Sequence, residues 1–248
     1  MINRITPWIA MEQAIFLDIG GTLVDFEPPF HYNIYSYLKR AGYNISEKDV
    51  FRGMAFQYGR AEDAYIGNGI PKLDYKDLLS YLGIDSGDGA LIRGLGSIDI
   101  LSNQYTLYDD ALEFIKEVKN RGFKVVLVTN ATKSIHRIIT ELDLGRYVDD
   151  VVASCDVGAV KPGRQIFEIA RRRAGCEGIH IGDLYEVDYV GAKLAGLGAI
   201  LLDRRDFYSE LDVRKADSLT AALGLIDGLV QGSLNGSPNG GHVKLKSG

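Results

Sequence analysis

The chain has 248 residues, which is enough for one folded domain that carries an insertion. Hydrophobic residues make up 46% and charged residues 25%, a composition typical of a globular enzyme. With 28 basic and 33 acidic side chains the net charge is -5, which argues against general binding of nucleic acid. The two cysteines, Cys155 and Cys176, lie outside any CxxC pattern and predict neither a disulfide framework nor a zinc site.

The two ends of the chain differ in pattern from the rest. Residues 1–10 show no clear periodicity and are predicted to be an added N-terminal arm, while residues 232–248 are rich in Gly, Ser and Asn and are predicted to be a flexible tail. No apolar run reaches the ~18 residues of a membrane span, and the N-terminus lacks the order of a signal peptide. We therefore expect a cytoplasmic protein with no membrane partner.

Short apolar runs recur along the chain, separated by segments of helical periodicity. They are AIFL (14–17), KVVLV (124–128), DDVVAS (149–154), IHIGD (179–183) and GAILLD (198–203). Apolar runs without alternation are typical of parallel strands that are covered on both faces. The pattern predicts an α/β protein in which helices cover both faces of a parallel sheet.

Residues 27–104 have a different pattern, with helical periodicity and no convincing buried strand. The segment follows the turn after the first strand, where open α/β sheets bind ligands, so we predict a helical cap over the site. The predicted core then consists of residues 11–26 and 105–231. The cap contains eight of the 14 tyrosines, and some of them are expected to line a substrate pocket.

Polar residues follow the predicted strands at four places. They are Asp18, the pair Thr129 and Asn130, Lys161, and the pair Asp183 and Asp188. Each of them taken alone has a simpler explanation, as a turn residue, a helix N-cap or a solvated loop residue. Because the carboxyl ends of parallel strands face one crevice, the combination predicts a shared site.

Four stretches resemble, in chain order, the motifs of the haloacid dehalogenase-like (HAD) superfamily of hydrolases and phosphotransferases. They are LDIGGT (17–22), VLVTN (126–130), VGAVKPG (157–163) and IGDLYEVDYVGAKLAG (181–196). The resemblance covers the chain from about Met11 to Asp203, and the helical insertion matches the family's cap between its first and second motifs. It implies a three-layer Rossmann-like core, Mg²⁺ as cofactor and a small phosphorylated metabolite as substrate.

The resemblance also implies a nucleophile and a metal site. Asp18 would attack phosphorus and become an aspartyl phosphate. Mg²⁺ would be held by Asp18, the main-chain carbonyl of Gly20 and Asp183, an all-oxygen set that suits a hard cation. Asp188 would belong to the same metal site but lie just outside, hydrogen-bonded to a metal-bound water or to Lys161.

A phosphate-binding set follows from the two middle motifs. Thr129 and the following backbone amide, that of Asn130, would bind a phosphate oxygen of the substrate. Lys161 would offset the negative charge of the nucleophile and of the phosphoryl group. By the same resemblance Thr129 and Lys161 are therefore catalytic as well as substrate-binding.

Gly20 departs from the family pattern, because family phosphatases usually carry a second aspartate two positions after the nucleophile. That aspartate protonates the leaving group and then activates water, work worth about 10²–10⁴-fold for a general acid–base group. Three outcomes are open: Asp25, Glu27 or His31 replaces it, the substrate is an acyl or aryl phosphate that needs no protonation, or the protein binds phosphorylated ligands with little catalysis. Among the histidines only His31 is a candidate for catalysis, and His180 is expected to be packed within its strand.

Other functions are weaker alternatives. Relatives that cleave carbon–halogen or carbon–phosphorus bonds also lack the second aspartate, but a bare glycine at this position supports neither activity specifically. The stretch DIGGT also resembles the first phosphate loop of actin-like sugar kinases, yet a tyrosine-rich helical segment follows it and no second such loop occurs in the sequence. The oligomeric state and the identity of the substrate are not predicted.

Overall fold

The computed structural model describes residues 13–60, 69–100 and 104–234, with side chains as far as residue 229. Within these residues the strands are β1 (Ala14–Leu17), β2 (Val24–Glu27), β3 (Gln104–Leu107), β4 (Lys124–Thr129), β5 (Asp150–Ala153), β6 (Gly178–Gly182), β7 (Gly198–Leu202) and β8 (Lys215–Ala216). Six of them form a parallel sheet in the order β5-β4-β1-β6-β7-β8. The apolar runs predicted as strands all lie in this sheet.

Helices cover both faces of the sheet. The described α-helices are α1 (Tyr32–Arg40), α2 (Glu47–Gly59), α3 (Tyr75–Tyr81), α4 (Gly89–Gly96), α5 (Ala111–Asn120), α6 (Ile135–Glu141), α7 (Ser154–Val157), α8 (Arg164–Ala174), α9 (Gly191–Leu194) and α10 (Leu219–Leu234), with a 3₁₀ helix at Leu144–Arg146 and a π-helix at Tyr185–Val190. One apolar core includes Phe114 of α5, Ile138 of α6 and Ile226 of α10, and a second includes Phe167 of α8 and Ala192 of α9. This arrangement confirms the predicted three-layer α/β architecture.

The register of the central strand brings distant parts of the sequence to one edge of the sheet. Leu17 in β1 pairs with Leu127 in β4 on one side and with Ile181 in β6 on the other. Asp18 follows directly, and its backbone N–H donates to the carbonyl of Ile181 at 3.0 Å. Asp183 comes two residues after Ile181, so it lies beside Asp18 at the carboxyl edge of the sheet.

The cap is joined to the core by an antiparallel pair of strands, β2 and β3. Val24 pairs with Leu107 at one end and Glu27 with Gln104 at the other. The sequence did not predict this pair, because each strand has only four residues and no buried apolar run. Helices α1 to α4 lie between these strands, as the helical periodicity of residues 27–104 predicts.

The cap has helix caps and an apolar core of its own. The side chain of Ser46 accepts from the backbone N–H of Asp49 and begins α2 with a capping box, and aspartates begin α3 and α4 in a similar way. Ile34, Leu38 and Met54 are fully buried inside the cap. The insertion therefore folds around its own side chains and does not merely cover the sheet.

At Gly69 the cap contacts the core through its backbone. The hydroxyl of Ser154 donates to the carbonyl of Gly69, and a Cβ built on Gly69 would lie 2.1 Å from the carbonyl oxygen of Ala131. Gly69 also has a positive φ of 93°. Only glycine allows the cap backbone to approach the core this closely in this conformation.

The two ends of the chain lie largely beyond the described residues. Helix α10 continues to Leu234, so the first three residues of the segment predicted as a tail, 232–234, are helical instead. Helix α10 begins in an apolar segment, and its backbone hydrogen bonding continues for three residues into the glycine-rich segment. The predicted arm at residues 1–10 and residues 235–248 are outside the described part. None of the helices that the structure describes combines the length and the apolar character of a transmembrane segment.

Candidate active site

A compact cluster of three carboxylates and one ammonium group lies at the carboxyl edge of the sheet. Carboxylate oxygens of Asp18, Asp183 and Asp188 all lie within 4.8 Å of one another. The Nζ of Lys161 donates to Oδ1 of Asp18 and to Oδ1 of Asp188, at 2.6 Å each. Lys161 and Asp188 are each only 1% exposed, so these charges interact with little screening by water. The structure thus brings together the four charged residues that the sequence predicts for the site.

Lys161 is held in place by its main chain as well as by its charge. Its backbone N–H donates to Oδ1 of Asn130 at 2.7 Å, and Nδ2 of Asn130 donates to its carbonyl at 2.8 Å. The side chain of Asn130 therefore positions Lys161, which leaves only the backbone amide of Asn130 for the predicted phosphate contact. Thr129, the last residue of β4, is 4% exposed and lies beside this bridge.

Asp188 is held by His180, for which the sequence predicted packing within a strand but no contact with the site. Nε2 of the fully buried His180 lies 2.9 Å from Oδ1 of Asp188, and the backbone N–H of Leu184 donates to Oδ2 at 3.0 Å. His180 is packed edge-on against Phe167, as expected for a histidine within an apolar strand, but it also has this polar partner. A polar residue three positions before Asp183 was the only signal in the sequence.

Burial and mutual repulsion control the protonation of the carboxylates. Burial, together with the charge of Asp188 and against the attraction of Lys161, raises the pKa of Asp18 to about 6. Burial raises the pKa of Asp183 well above its ordinary value, and the charges of Asp18 and Asp188 raise it further. The pKa of Asp188 is lowered although burial opposes this, because the charge of Lys161 and the hydrogen bond from His180 favour the carboxylate.

The charges of this cluster indicate whether a metal ion would fit beside it. Three carboxylates face a single ammonium group, and Asp18 and Asp183 are the two whose pKa is raised, first by burial and then by the charge of the neighbouring carboxylates. All the donor atoms are oxygens, the ligands that Mg²⁺ prefers. A divalent cation beside Asp18 and Asp183 would relieve the repulsion, so the residues present fit Mg²⁺.

The turn after Asp18 can be built only with glycine at position 21. Gly21 has a positive φ of 72°, and a Cβ there would lie 2.2 Å from Oδ2 of Asp183. Its backbone N–H donates to the carbonyl of Val24 at 2.8 Å, which closes the turn. The glycine therefore allows the two carboxylate-bearing loops to approach each other.

Gly20, where family phosphatases carry an aspartate, faces an aromatic ring. A Cβ built on Gly20 would lie 3.2 Å from Cε2 of Phe26, whose ring packs against Tyr105 at 5.9 Å between centroids. Phe26 belongs to β2, so the strand that leads into the cap places this ring against the turn. The space around position 20 is apolar on that side.

The site opens into a cavity of about 470 Å³ between core and cap. The predicted site residues all line it, namely Asp18, Gly20, Thr129, Asn130, Lys161, Asp183 and Asp188. The structure thus places residues from the four separate motifs on the wall of one cavity.

Of the three candidates to replace the missing aspartate, two line the same cavity. Asp25 accepts from the hydroxyl of Tyr108 at 3.0 Å, and His31 is 1% exposed with Nε2 at 2.8 Å from Oε1 of Glu47. Burial lowers the pKa of His31 although Glu47 opposes this, so its ring is neutral at pH 7. Glu27 ends β2 with an exposed side chain.

Comparison with known proteins identifies the family. Residues 12–196 match the model of a hydrolase family, the haloacid dehalogenase-like hydrolases. The chain belongs to this family. This membership removes the sugar-kinase alternative and makes the protein a hydrolase of the HAD superfamily.

Several curated relatives of this HAD hydrolase are phosphatases by name. It is 25% identical over 216 residues to the glyceraldehyde 3-phosphate phosphatase of Methanothermobacter thermautotrophicus, covering 82% of this chain and 90% of that one. It is 28% identical over 206 residues to the ribulose-1,5-bisphosphate 5-phosphatase of Halopiger xanaduensis, covering 78% and 85%.

Solved structures of low sequence identity share the fold. A HAD phosphatase from Thermococcus onnurineus matches with a TM-score of 0.56 at 21% identity, over 87% of this chain and 98% of that one. The HAD hydrolase YfnB from Bacillus subtilis, solved bound to magnesium, matches with a TM-score of 0.55 at 20% identity, over 88% and 99%. At these identities the likeness supports the fold and says nothing about the substrate.

Proposed function

We propose that this HAD hydrolase is a Mg²⁺-dependent phosphatase that acts on a small phosphorylated molecule in the cytoplasm through an aspartyl phosphate on Asp18. One observation carries the proposal above all: Asp18 is bound by Lys161 at 2.6 Å, beside Asp183, in the wall of a cavity large enough for an organic phosphate. An oriented carboxylate next to a buried cation is what in-line attack on phosphorus requires.

The residues of this chain divide the chemistry between them. Lys161 holds Oδ1 of Asp18, which orients the carboxylate and leaves its other oxygen for attack on phosphorus. The same ammonium, fixed by Asp188 and Asn130, stabilises the charge of the transferring phosphoryl group together with Thr129. Mg²⁺, when bound by Asp18, Asp183 and the carbonyl of Gly20, supplies further positive charge for the phosphoryl oxygens.

The cap contributes to catalysis by limiting the access of water to the site. Its backbone at Gly69 is hydrogen-bonded to Ser154 of the core, next to the loop that follows β4. A cap seated there covers part of the cavity, which reduces its contact with bulk water and strengthens the charge interactions inside it.

The relatives support the reaction class. The two phosphatases named above and a phosphoserine phosphatase of Thermus thermophilus, 32% identical over 105 residues covering 41% of this chain and 42% of that one, are named for small phosphorylated substrates. The magnesium in the YfnB structure supports the choice of cation.

Phosphate release from acetyl phosphate and phenyl phosphate, measured with Mg²⁺ in wild type and in Asp18→Asn, tests the proposal. We expect turnover that EDTA abolishes and that Asp18→Asn reduces to background, because asparagine keeps the size but not the nucleophile. Equal rates in the two proteins would refute a role for Asp18 as nucleophile.

A second function is favoured by the apolar surroundings of Gly20. If the missing proton donor has no substitute, the protein binds phosphorylated ligands on an intact scaffold without efficient turnover. Tight binding of inorganic phosphate in the presence of Mg²⁺, with no Asp18-dependent hydrolysis of acetyl phosphate or phenyl phosphate, would favour this alternative.

A further inference from the structure

The cavity beside Asp18 has more apolar wall than a sugar phosphate needs. Its volume of about 470 Å³ lies within the range of about 300–1,000 Å³ that is typical of sites for drug-sized ligands. Apolar side chains reach it from the β2 strand, the hinge, the cap and helix α6, namely Phe26, Phe30, Ile70, Ile100, Ile135 and Ile138. A three-carbon phosphate would leave much of this surface uncovered.

Most of the polar side chains on the cavity wall already bind other protein groups. Asp25 accepts from the hydroxyl of Tyr108 at 3.0 Å. His31 and Arg205 both contact Oε1 of Glu47, at 2.8 and 3.4 Å, and Arg205 also lies 4.0 Å from Asp25. These groups form one connected network along the hinge.

The helix α6 side of the cavity shows the same pairing. The hydroxyls of Thr132 and Ser134 lie 2.8 Å from each other, and Asn130 is engaged with the backbone of Lys161. A substrate rich in hydroxyl groups would find few polar positions on this wall and would place its remaining hydroxyls against apolar side chains. This placement costs binding free energy, since a buried hydroxyl without a partner is unfavourable.

The turn at Gly20 restricts the leaving group independently of the cavity walls. Position 20 carries no acid, and the ring of Phe26 fills the adjacent space at 3.2 Å from the position of a Cβ. A leaving oxygen on this side would gain no proton from residue 20. Phenols have pKa values of about 10, as in tyrosine, and so leave as phenolates far more readily than alkoxides do.

We infer that the preferred substrates are aryl phosphates, monoesters in which phosphate is attached to an aromatic ring system of one or two rings. The inference rests on the proposed phosphatase function and adds the substrate class to it. The ring packs between Phe26, Phe30 and the isoleucines, where aromatic contacts favour it over a polyol of equal size.

The reaction balances without a protein acid. The carboxylate of Asp18 forms a bond to phosphorus while the bond from phosphorus to the aryl oxygen breaks, and the phenolate leaves with the electron pair and takes a proton from water. A water molecule then adds to phosphorus, the carboxylate of Asp18 leaves, and the proton of that water passes to solvent. The products are a phenol and inorganic phosphate.

A panel of four substrates tests the inference with Mg²⁺ present. Acetyl phosphate has a good leaving group but no ring, 2-(1-naphthyl)ethyl phosphate has the ring but an alkoxide leaving group, 1-naphthyl phosphate has both, and glucose 6-phosphate has neither. We expect kcat/KM for 1-naphthyl phosphate to exceed that for glucose 6-phosphate by about 10²-fold or more, the scale of a general acid's contribution. The two intermediate substrates should fall between these limits.

The panel separates failure of the inference from failure of the proposed function. Asp18-dependent hydrolysis of acetyl phosphate, with glucose 6-phosphate equal to or better than 1-naphthyl phosphate, would overturn the substrate class and leave the phosphatase function standing. Absence of Asp18-dependent hydrolysis of every substrate would overturn both.

A matched pair of variants tests the apolar wall itself. Ile138→Val and Ile138→Thr remove nearly the same volume from a buried wall residue and differ in one hydroxyl. We expect Ile138→Thr to lower kcat/KM for 1-naphthyl phosphate several-fold more than Ile138→Val does, with no such difference for acetyl phosphate, which is too small to cover the wall. Identical effects of both variants on both substrates would refute contact between the ring and this wall.

Discussion

Gly20→Asp is expected to increase the hydrolysis of alkyl phosphates by this protein. The new Cβ would lie 3.2 Å from Cε2 and 3.8 Å from Cδ2 of Phe26, so the ring must move by a few tenths of an ångström. The Phe26 ring is partly exposed and belongs to a four-residue strand, which makes such a shift feasible. A positioned general acid is worth about 10²–10⁴-fold, and we expect the lower part of that range because the crowded ring limits the rotamers of the new side chain.

The assay compares 2-phenylethyl phosphate with phenyl phosphate, because the two differ in the basicity of the leaving oxygen. The increase in kcat/KM should be confined to 2-phenylethyl phosphate, since phenolate leaves without a proton. Gly20→Asn is the matched control, with the same size and no acidic proton. Gly20→Asp combined with Phe26→Leu should gain more than Gly20→Asp alone, because leucine relieves the close contact.

Two results would refute this reasoning. If folded Gly20→Asp gives no more activity than Gly20→Asn towards the alkyl ester, the missing acid does not limit the wild-type protein. If both esters gain equally, the aspartate acts on phosphate or metal binding and not on proton transfer.

Three further predictions concern the site and its hinge. Lys161→Met removes the only ammonium group in the described carboxylate cluster. The free energy of unfolding should fall by about 3–5 kcal/mol in urea titrations, and Mg²⁺ should restore part of it. An unchanged urea midpoint would contradict the stabilising role of the bonds from Lys161 to Asp18 and Asp188. Gly21→Ala places a Cβ 2.2 Å from Oδ2 of Asp183 at a residue with positive φ. We therefore expect weaker Mg²⁺ binding by calorimetry and a free energy of unfolding lower by more than about 1 kcal/mol. Wild-type values of both quantities would refute the turn geometry. Burial lowers the pKa of His31, so the unfolded chain binds a proton near pH 6.5 that the folded chain does not bind until lower pH, and the contribution of His31 to stability falls with decreasing pH below about 6.5, by at most about 1.4 kcal/mol per pH unit. The raised pKa values of Asp18 and Asp183 act in the opposite direction. The quantity to measure is therefore the difference in unfolding free energy between wild type and His31→Gln, which should fall with decreasing pH; a difference that does not change with pH would refute this role of His31.

The core fold was predictable because parallel strands buried on both faces leave long apolar runs in the sequence. Such runs predicted β1, β4, β5, β6 and β7, and the structure places all of them in one sheet. Strands β2, β3 and β8 could not be found in this way, since each of them has at most one buried residue and none carries a buried apolar run. Helix α10 extends three residues into the segment predicted as a tail, because a change in composition alone does not end a hydrogen-bonded helix.

The residues of the site were also predictable, but their partners were not. Asp18, Lys161 and Asp183 each follow a strand or a strand-linked loop, so their position at the carboxyl edge follows from parallel topology. The bonds from His180 to Asp188 and from Asn130 to the backbone of Lys161 join residues from different strands and loops. No sequence pattern encodes which of several neighbouring polar groups will point at each other.

By itself, the amino-acid sequence determined the α/β architecture, the place of the helical insertion and the residue types at the four strand ends, because local periodicity and chain order carry that information. Only the tertiary structure decided what surrounds them: that Phe26 faces Gly20, and that apolar side chains from cap and core line the cavity beside Asp18. The physical reason is that these contacts depend on the register of β1 with its neighbours and on how the cap seats at Gly69. Both are set by packing between segments far apart in the chain.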